Sequence, residues 1–145
     1  MARQADTDER DSVDGVNPGT ELGRYTVNAR IETIPGGERW TARDTTLDRD
    51  VTLLIMPADA LPTEAALDAA RRAAGVEAAQ LVRILDVGTE ESFSFIAEEG
   101  IGDSETYAYA IGEEGLPAEE VRRITGEVAT GIEAARARGL HHLAL

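Results

Sequence analysis

The chain reads as an α+β domain built on an antiparallel sheet of five strands. Three observations carry that reading. Between Tyr25 and Met56, three strand patterns follow one another across turns too short for parallel crossovers. One helical pattern then separates them from two further expected strands, over 81–88 and 93–98. Beyond residue 116, one long amphipathic stretch fits a helix.

Each element has a local reason. Residues 1–22 are polar, acidic and rich in turn formers, with Asp14-Gly15 and Asn17-Pro18-Gly19, and are expected to form a disordered leader. Tyr25, Val27, Ala29 and Ile31 alternate with polar residues, the pattern of a half-buried strand. Pro35-Gly36-Gly37 is a turn, and the next strand, over 38–44, carries Trp40 and Ala42 on one face. The third, over 51–56, is apolar nearly throughout and is expected to be central. Pro62-Thr63-Glu64 opens a helix, with proline in the first turn and Glu64 at the positive end. Arg71 and Arg72 mark its end, and Gly75 can close it. Thr89-Glu90-Glu91-Ser92 turns between the last two strands. A short helix is expected over 106–112. Leu116-Pro117-Ala118-Glu119-Glu120 starts the long helix, whose stripe of Val121, Ile124, Val128, Ile132 and Ala135 steps by three or four residues until Gly139.

Composition narrows the function. A length of 145 residues suits one domain with a modest core. A formal net charge of −14 repels phosphate backbones and anionic membranes, so neither nucleic acid nor a lipid surface is an expected partner. No cysteine is present, which removes disulfides, thiolate zinc sites and thiol catalysis. The opening residues turn acidic at once and no apolar run reaches membrane-spanning length, so a cytoplasmic location is expected. His141 and His142 are adjacent, cannot easily reach one ion and lack a third ligand, so no metal is expected. Asp48, Asp50, Glu98 and Glu99 read as solvated surface rather than paired catalytic carboxylates. Trp40 and Tyr25 read as core or sheet-face residues.

The segment from Ala42 to Met56, Ala-Arg-Asp-Thr-Thr-Leu-Asp-Arg-Asp-Val-Thr-Leu-Leu-Ile-Met, resembles the stretch joining the second and third strands of bacterial Ser/Thr protein kinase domains. Gly23-Arg24-Tyr25 is similar to the opening of those domains, and the run from Leu81 to Gly88 to their fourth strand. Gly139-Leu140-His141-His142-Leu143-Ala144-Leu145 is similar to the approach to their catalytic loop. The resemblance covers Gly23 to Leu145. It implies a kinase-like N-lobe over residues 23–99, then a hinge and the first, partial C-lobe helices over 100–145.

The resemblance also implies that the chemistry is gone. The first two glycines of the phosphate-binding loop fall on Glu32 and Ile34, and only Gly37 matches, where a plain hairpin turn explains the glycine as well. The phosphate-binding lysine is Leu54, and its partner glutamate is Ala69. The aspartate that accepts the substrate proton falls on Ala144, which has no group to take one. The metal-binding asparagine and the Asp-Phe-Gly segment would lie beyond Leu145, as in a C-terminally truncated kinase domain. What is implied is a pseudokinase, not an enzyme, without cofactor or metal, acting as a regulatory interaction module. Trp40–Asp44 and Phe95–Glu99 look most like kinase-like proteins of actinobacteria, some of which accompany the flippase of the peptidoglycan lipid precursor. That implies a role in cell-wall synthesis. The expected contact surface is the stripe Val121, Ile124, Val128 and Ile132, with a second copy or a partner protein. Two alternatives remain: a weakly active or nucleotide-binding phosphotransferase using Arg39 or Arg43, and a fragment with no independent function.

Overall fold

The computed structural model describes residues 13–102, 111–112 and 114–141. Its strands are β1 (Glu21–Leu22), β2 (Tyr25–Ile34), β3 (Gly37–Asp44), β4 (Arg49–Pro57), β5 (Ile84–Glu90) and β6 (Phe93–Glu99). Helix α1 (Leu61–Ala73) lies between β4 and β5, and α2 (Ala118–Arg136) follows β6. One six-stranded sheet has the order β1-β2-β3-β4-β6-β5, antiparallel throughout. The sheet thus has one strand more than expected, because β1 forms inside the segment read as a leader. The fifth strand starts at Ile84 rather than Leu81. The short helix expected over 106–112 falls largely outside the described residues.

The hairpins follow from their turn chemistry. Ile34 pairs with Gly37 across Pro35-Gly36, and Gly36 has φ +85°, which fits the Pro-Gly type II pattern. In the β3–β4 turn, the Asp44 carboxylate accepts the backbone N–H groups of Thr46 and Leu47 at 3.1 and 3.0 Å. The Arg24 guanidinium lies 3.3 Å from its other oxygen.

The sheet buries both faces unequally. On one face, Tyr25, Val27, Trp40, Ala42, Val51, Leu53, Ile55, Phe95 and Ala97 form the larger core, and the Tyr25 and Phe95 rings meet edge to face at 5.5 Å. Trp40 and Tyr25 are core residues, as the alternation implied. On the other face, Met56 and Ile96 pack against Leu67 and Ala70 of α1, with Leu54 at the margin.

The larger core corrects the leader. Val13, Val16 and Leu22 are buried in it, so residues 13–22 form a strap lying on the sheet. Their three apolar side chains are spaced irregularly among polar residues and show no strand or helix period. They are recruited by the exposed apolar face of the sheet, which the periodicity of the segment itself could not reveal.

Helix α2 buries little. Gly131 is its one buried position among the described residues, and a Cβ there would lie 3.1 Å from Cβ of Gln80. The helix crosses the 80–81 loop at this glycine and exposes most of its remaining surface.

Candidate functional site

The alternation of β3 and β4 places Arg39 directly across from Leu54, both on the face that α1 covers. Arg39 also pairs in register with Glu32 of β2, and its Nη1 donates to Oε1 of Glu32 at 2.7 Å. Thr52, on the same face of β4, stands opposite Glu98 of β6. Glu98 is half-buried. Desolvation raises its pKa above the ordinary carboxylate value, and the charge of Arg39 only partly offsets that. Glu98 is therefore no solvated surface residue, contrary to its reading from sequence. The region around Leu54 offers two carboxylates and one cation, and the cation already holds a carboxylate.

Two charged groups on the opposite side escaped the sequence reading. Glu38 is 1% exposed on the face of Trp40 and Ile55. One carboxylate oxygen accepts from Arg30 Nη1 at 3.1 Å and the other from Trp40 Nε1 at 2.9 Å. Asp44 is fully buried at the sheet end. Burial alone would raise its pKa, but the N–H groups of Leu47 and Thr46, with Arg24 and Arg49, hold it below the ordinary value. A signal existed for Glu38: it stands two residues before Trp40, so the strand period puts both on one face. Asp48 and Asp50, by contrast, are surface groups paired with Arg43 at 2.7 and 2.8 Å.

No protein-family model matches the chain, and no curated protein matches it. Solved structures do. The kinase domain of Mycobacterium tuberculosis PknI superposes with a TM-score of 0.74 at 20% identity, covering 90% of this chain and 55% of that one. A second crystal structure of the same domain gives 0.75 at 20% identity, covering 90% and 54%. A single-substitution variant of it gives 0.75 at 19% identity, covering 90% and 55%. The fold is that of a protein kinase N-lobe. The chain spans about 55% of the length of the kinase domains it matches.

On this kinase-like frame the positions singled out from sequence separate. Glu32 is exposed and engaged with Arg39, while Ile34 is half-buried beside the turn. Gly37 is a packing glycine: a Cβ there would lie 2.5 Å from the carbonyl oxygen of Ile55. Leu54 is half-buried against the Met56–Leu67–Ala70–Ile96 cluster. On α1, Ala66, Leu67 and Ala70 pack into that cluster, and Ala69 is half-buried beside them. Helical period puts Leu67 and Ala70 on one stripe. Ala144 falls outside the described residues. Val121 and Val128 are exposed, Ile124 and Ile132 half-buried. Among the described residues no group of three or more His, Asp or Glu could hold a metal ion, and no helix is long and apolar enough to cross a membrane.

Proposed function

We propose that this kinase-like domain works by binding rather than phosphotransfer, as a pseudokinase that serves as a regulatory protein–protein interaction module. The observation that carries this is the environment of Leu54. An apolar side chain packs where the kinase frame calls for a phosphate-holding cation, and the cation across the ladder is held by Glu32 at 2.7 Å. Releasing Arg39 to a phosphate would leave Glu32 unpaired and bring the anion near Glu98. The resemblance of Trp40–Asp44 and Phe95–Glu99 to kinase-like proteins accompanying a lipid-precursor flippase supports peptidoglycan synthesis as the regulated process, from a cytoplasmic position. The contact surface we assign is the α2 stripe of Val121, Ile124, Val128 and Ile132, where two valines are 47% and 45% exposed. A stripe of exposed and half-buried apolar side chains along one helix face supports an interface there.

A second reading, weak nucleotide binding, draws on one atom: Nε of Arg39 is buried without an acceptor. Calorimetry of the whole chain with millimolar Mg-ATP separates the two. No saturable heat is expected, and clear saturation would overturn the binding-only reading. Sedimentation at micromolar concentration, alone and with the Ile124→Glu, Val128→Glu, Ile132→Glu variant, tests the stripe. Association lost in the variant is expected, and a monomeric parent would refute self-association.

A further inference from the structure

Strand β2 is longer than the element that covers its outer edge. β1 pairs only with Tyr25 and Thr26. The pairing runs one residue further, to Val27, whose carbonyl accepts from the Gly19 N–H at 2.7 Å and whose N–H donates to the Thr20 carbonyl at 2.9 Å. Past that point residues 28–34 have β3 on one side and no strand on the other among the described residues. An uncovered edge is a template for a further strand. Here it is guarded in part. The β2–β3 register shifts between Val27 and Ala29 and again between Arg30 and Glu32, which bends the edge. Such a bend, with a net charge of −14 on each copy, works against flat pairing of identical chains.

A cavity of about 500 Å³ opens where the strap departs from this edge, between Asn17 and the strand residues Asn28, Arg30, Glu38 and Trp40. Glu38, a buried carboxylate, is among its lining residues. Arg30 and Trp40 each donate one bond to it. An ionised carboxylate has about four acceptor sites, so capacity for a further donor remains. The side-chain amides of Asn17 and Asn28 have no partner among the described residues. Asp14 lines the same cavity, which sets two carboxylates against the single guanidinium of Arg30.

We propose that the open edge of β2 and this cavity bind an extended basic segment of a partner protein. The segment continues the line of the strap as an added strand and places one Lys or Arg side chain against Glu38 and Asp14. Main-chain bonds along the edge supply affinity, and the cavity selects the cationic side chain. The field of a strongly acidic chain steers a basic segment toward it. This surface lies on the strap side of the sheet, away from Leu54 and α1, so it stands whether or not the domain binds nucleotide.

The test uses a capped hexapeptide of alternating Lys and Val, titrated into the whole chain and followed by amide NMR and calorimetry. A version N-methylated at alternate backbone nitrogens keeps the charge and removes strand pairing. Spermidine carries the charge alone. Saturable binding is expected, with shifts centred on residues 28–34 and the strap. N-methylation, and separately Glu38→Gln, should each weaken it by about tenfold or more, the usual loss when a charge-assisted or strand-pairing contact is removed. Spermidine should give no saturable shift at these residues. Equal binding of the methylated peptide, shifts centred elsewhere, saturation by spermidine at the same residues or no binding at all would each overturn the proposal. The comparison of the two peptides on the parent chain decides even if the Glu38→Gln chain does not fold.

Discussion

Truncating two side chains of the strap should cost the domain a substantial part of its stability. Val13 and Val16 are 3% and 7% exposed and sit in the larger core with Leu22, Tyr25 and Phe95. Each Val→Ala change deletes two buried methyl groups, worth about 0.8 kcal/mol apiece in transfer, or ~1.5 kcal/mol per residue before any cavity cost. The strap lies at the margin of the core and can partly collapse onto the gap, so the transfer value is the fitting estimate. The Val13→Ala, Val16→Ala double variant should therefore lose about 3 kcal/mol, in a domain whose total is on the order of 5–15 kcal/mol. For a chain of this size that lowers Tm by roughly 10 °C. Thermal unfolding followed by circular dichroism is the assay, with Asp14→Ala as an exposed control from the same segment. A double variant within two or so degrees of the parent would mean that residues 13–22 do not dock on the sheet, since that is how a solvated tail behaves.

Two further outcomes follow from the charged and apolar positions around the sheet. Leu54→Lys should lower stability by about 1–3 kcal/mol without conferring Mg-ATP binding, because the new amine enters an apolar cluster directly across from Arg39; a parent-like Tm would mean that Leu54 does not face α1. Glu98 and Asp44 should give opposite pH profiles. Glu98, raised by burial, binds its proton more tightly folded than unfolded, so it disfavours folding increasingly as pH rises from its ordinary value of 4.5 through its folded one. Glu98→Gln should thus be stabilised relative to the parent at neutral pH, with the difference vanishing in acid. Asp44, held below its ordinary value of 3.8, stabilises above that value and loses its contribution as pH falls through its folded pKa. Asp44→Asn should be destabilised at neutral pH and converge with the parent in acid. Denaturant titrations at several pH values check both, and profiles of the same sign would contradict the assigned environments.

The core strands were legible because their side-chain period matches their burial. Tyr25 and Val27, and Trp40 and Ala42, alternate with polar residues in the sequence, and the sheet buries that face; the run over 51–56, apolar nearly throughout, is a central strand with core on both faces. The β2–β3 turn was legible because Pro-Gly admits few backbone paths. The collinear kinase-like series, from Arg24 to about Val87, reached the N-lobe fold because a run of short elements in fixed order leaves few topologies. The site was legible only as replacements: Leu54 in an apolar cluster could be anticipated from its neighbours, whereas the pairing of Glu32 with Arg39 required the β2–β3 register, which contains two bulges.

Strands β2 to β6, their order and the position of α1 were all present in the amino-acid sequence, because these depend on local period, turn chemistry and order along the chain. Tertiary structure decided the rest. It bound Val13, Val16 and Leu22 to the sheet, packed Leu67 and Ala70 into the cluster beside Leu54, and buried Glu38 beside Trp40. It also left β2 uncovered beyond Val27 among the described residues. Each of these is a contact between segments distant in sequence or a choice of which face meets which. Such contacts are set by how much apolar surface and how many polar partners the assembled sheet offers, and no local pattern carries that information.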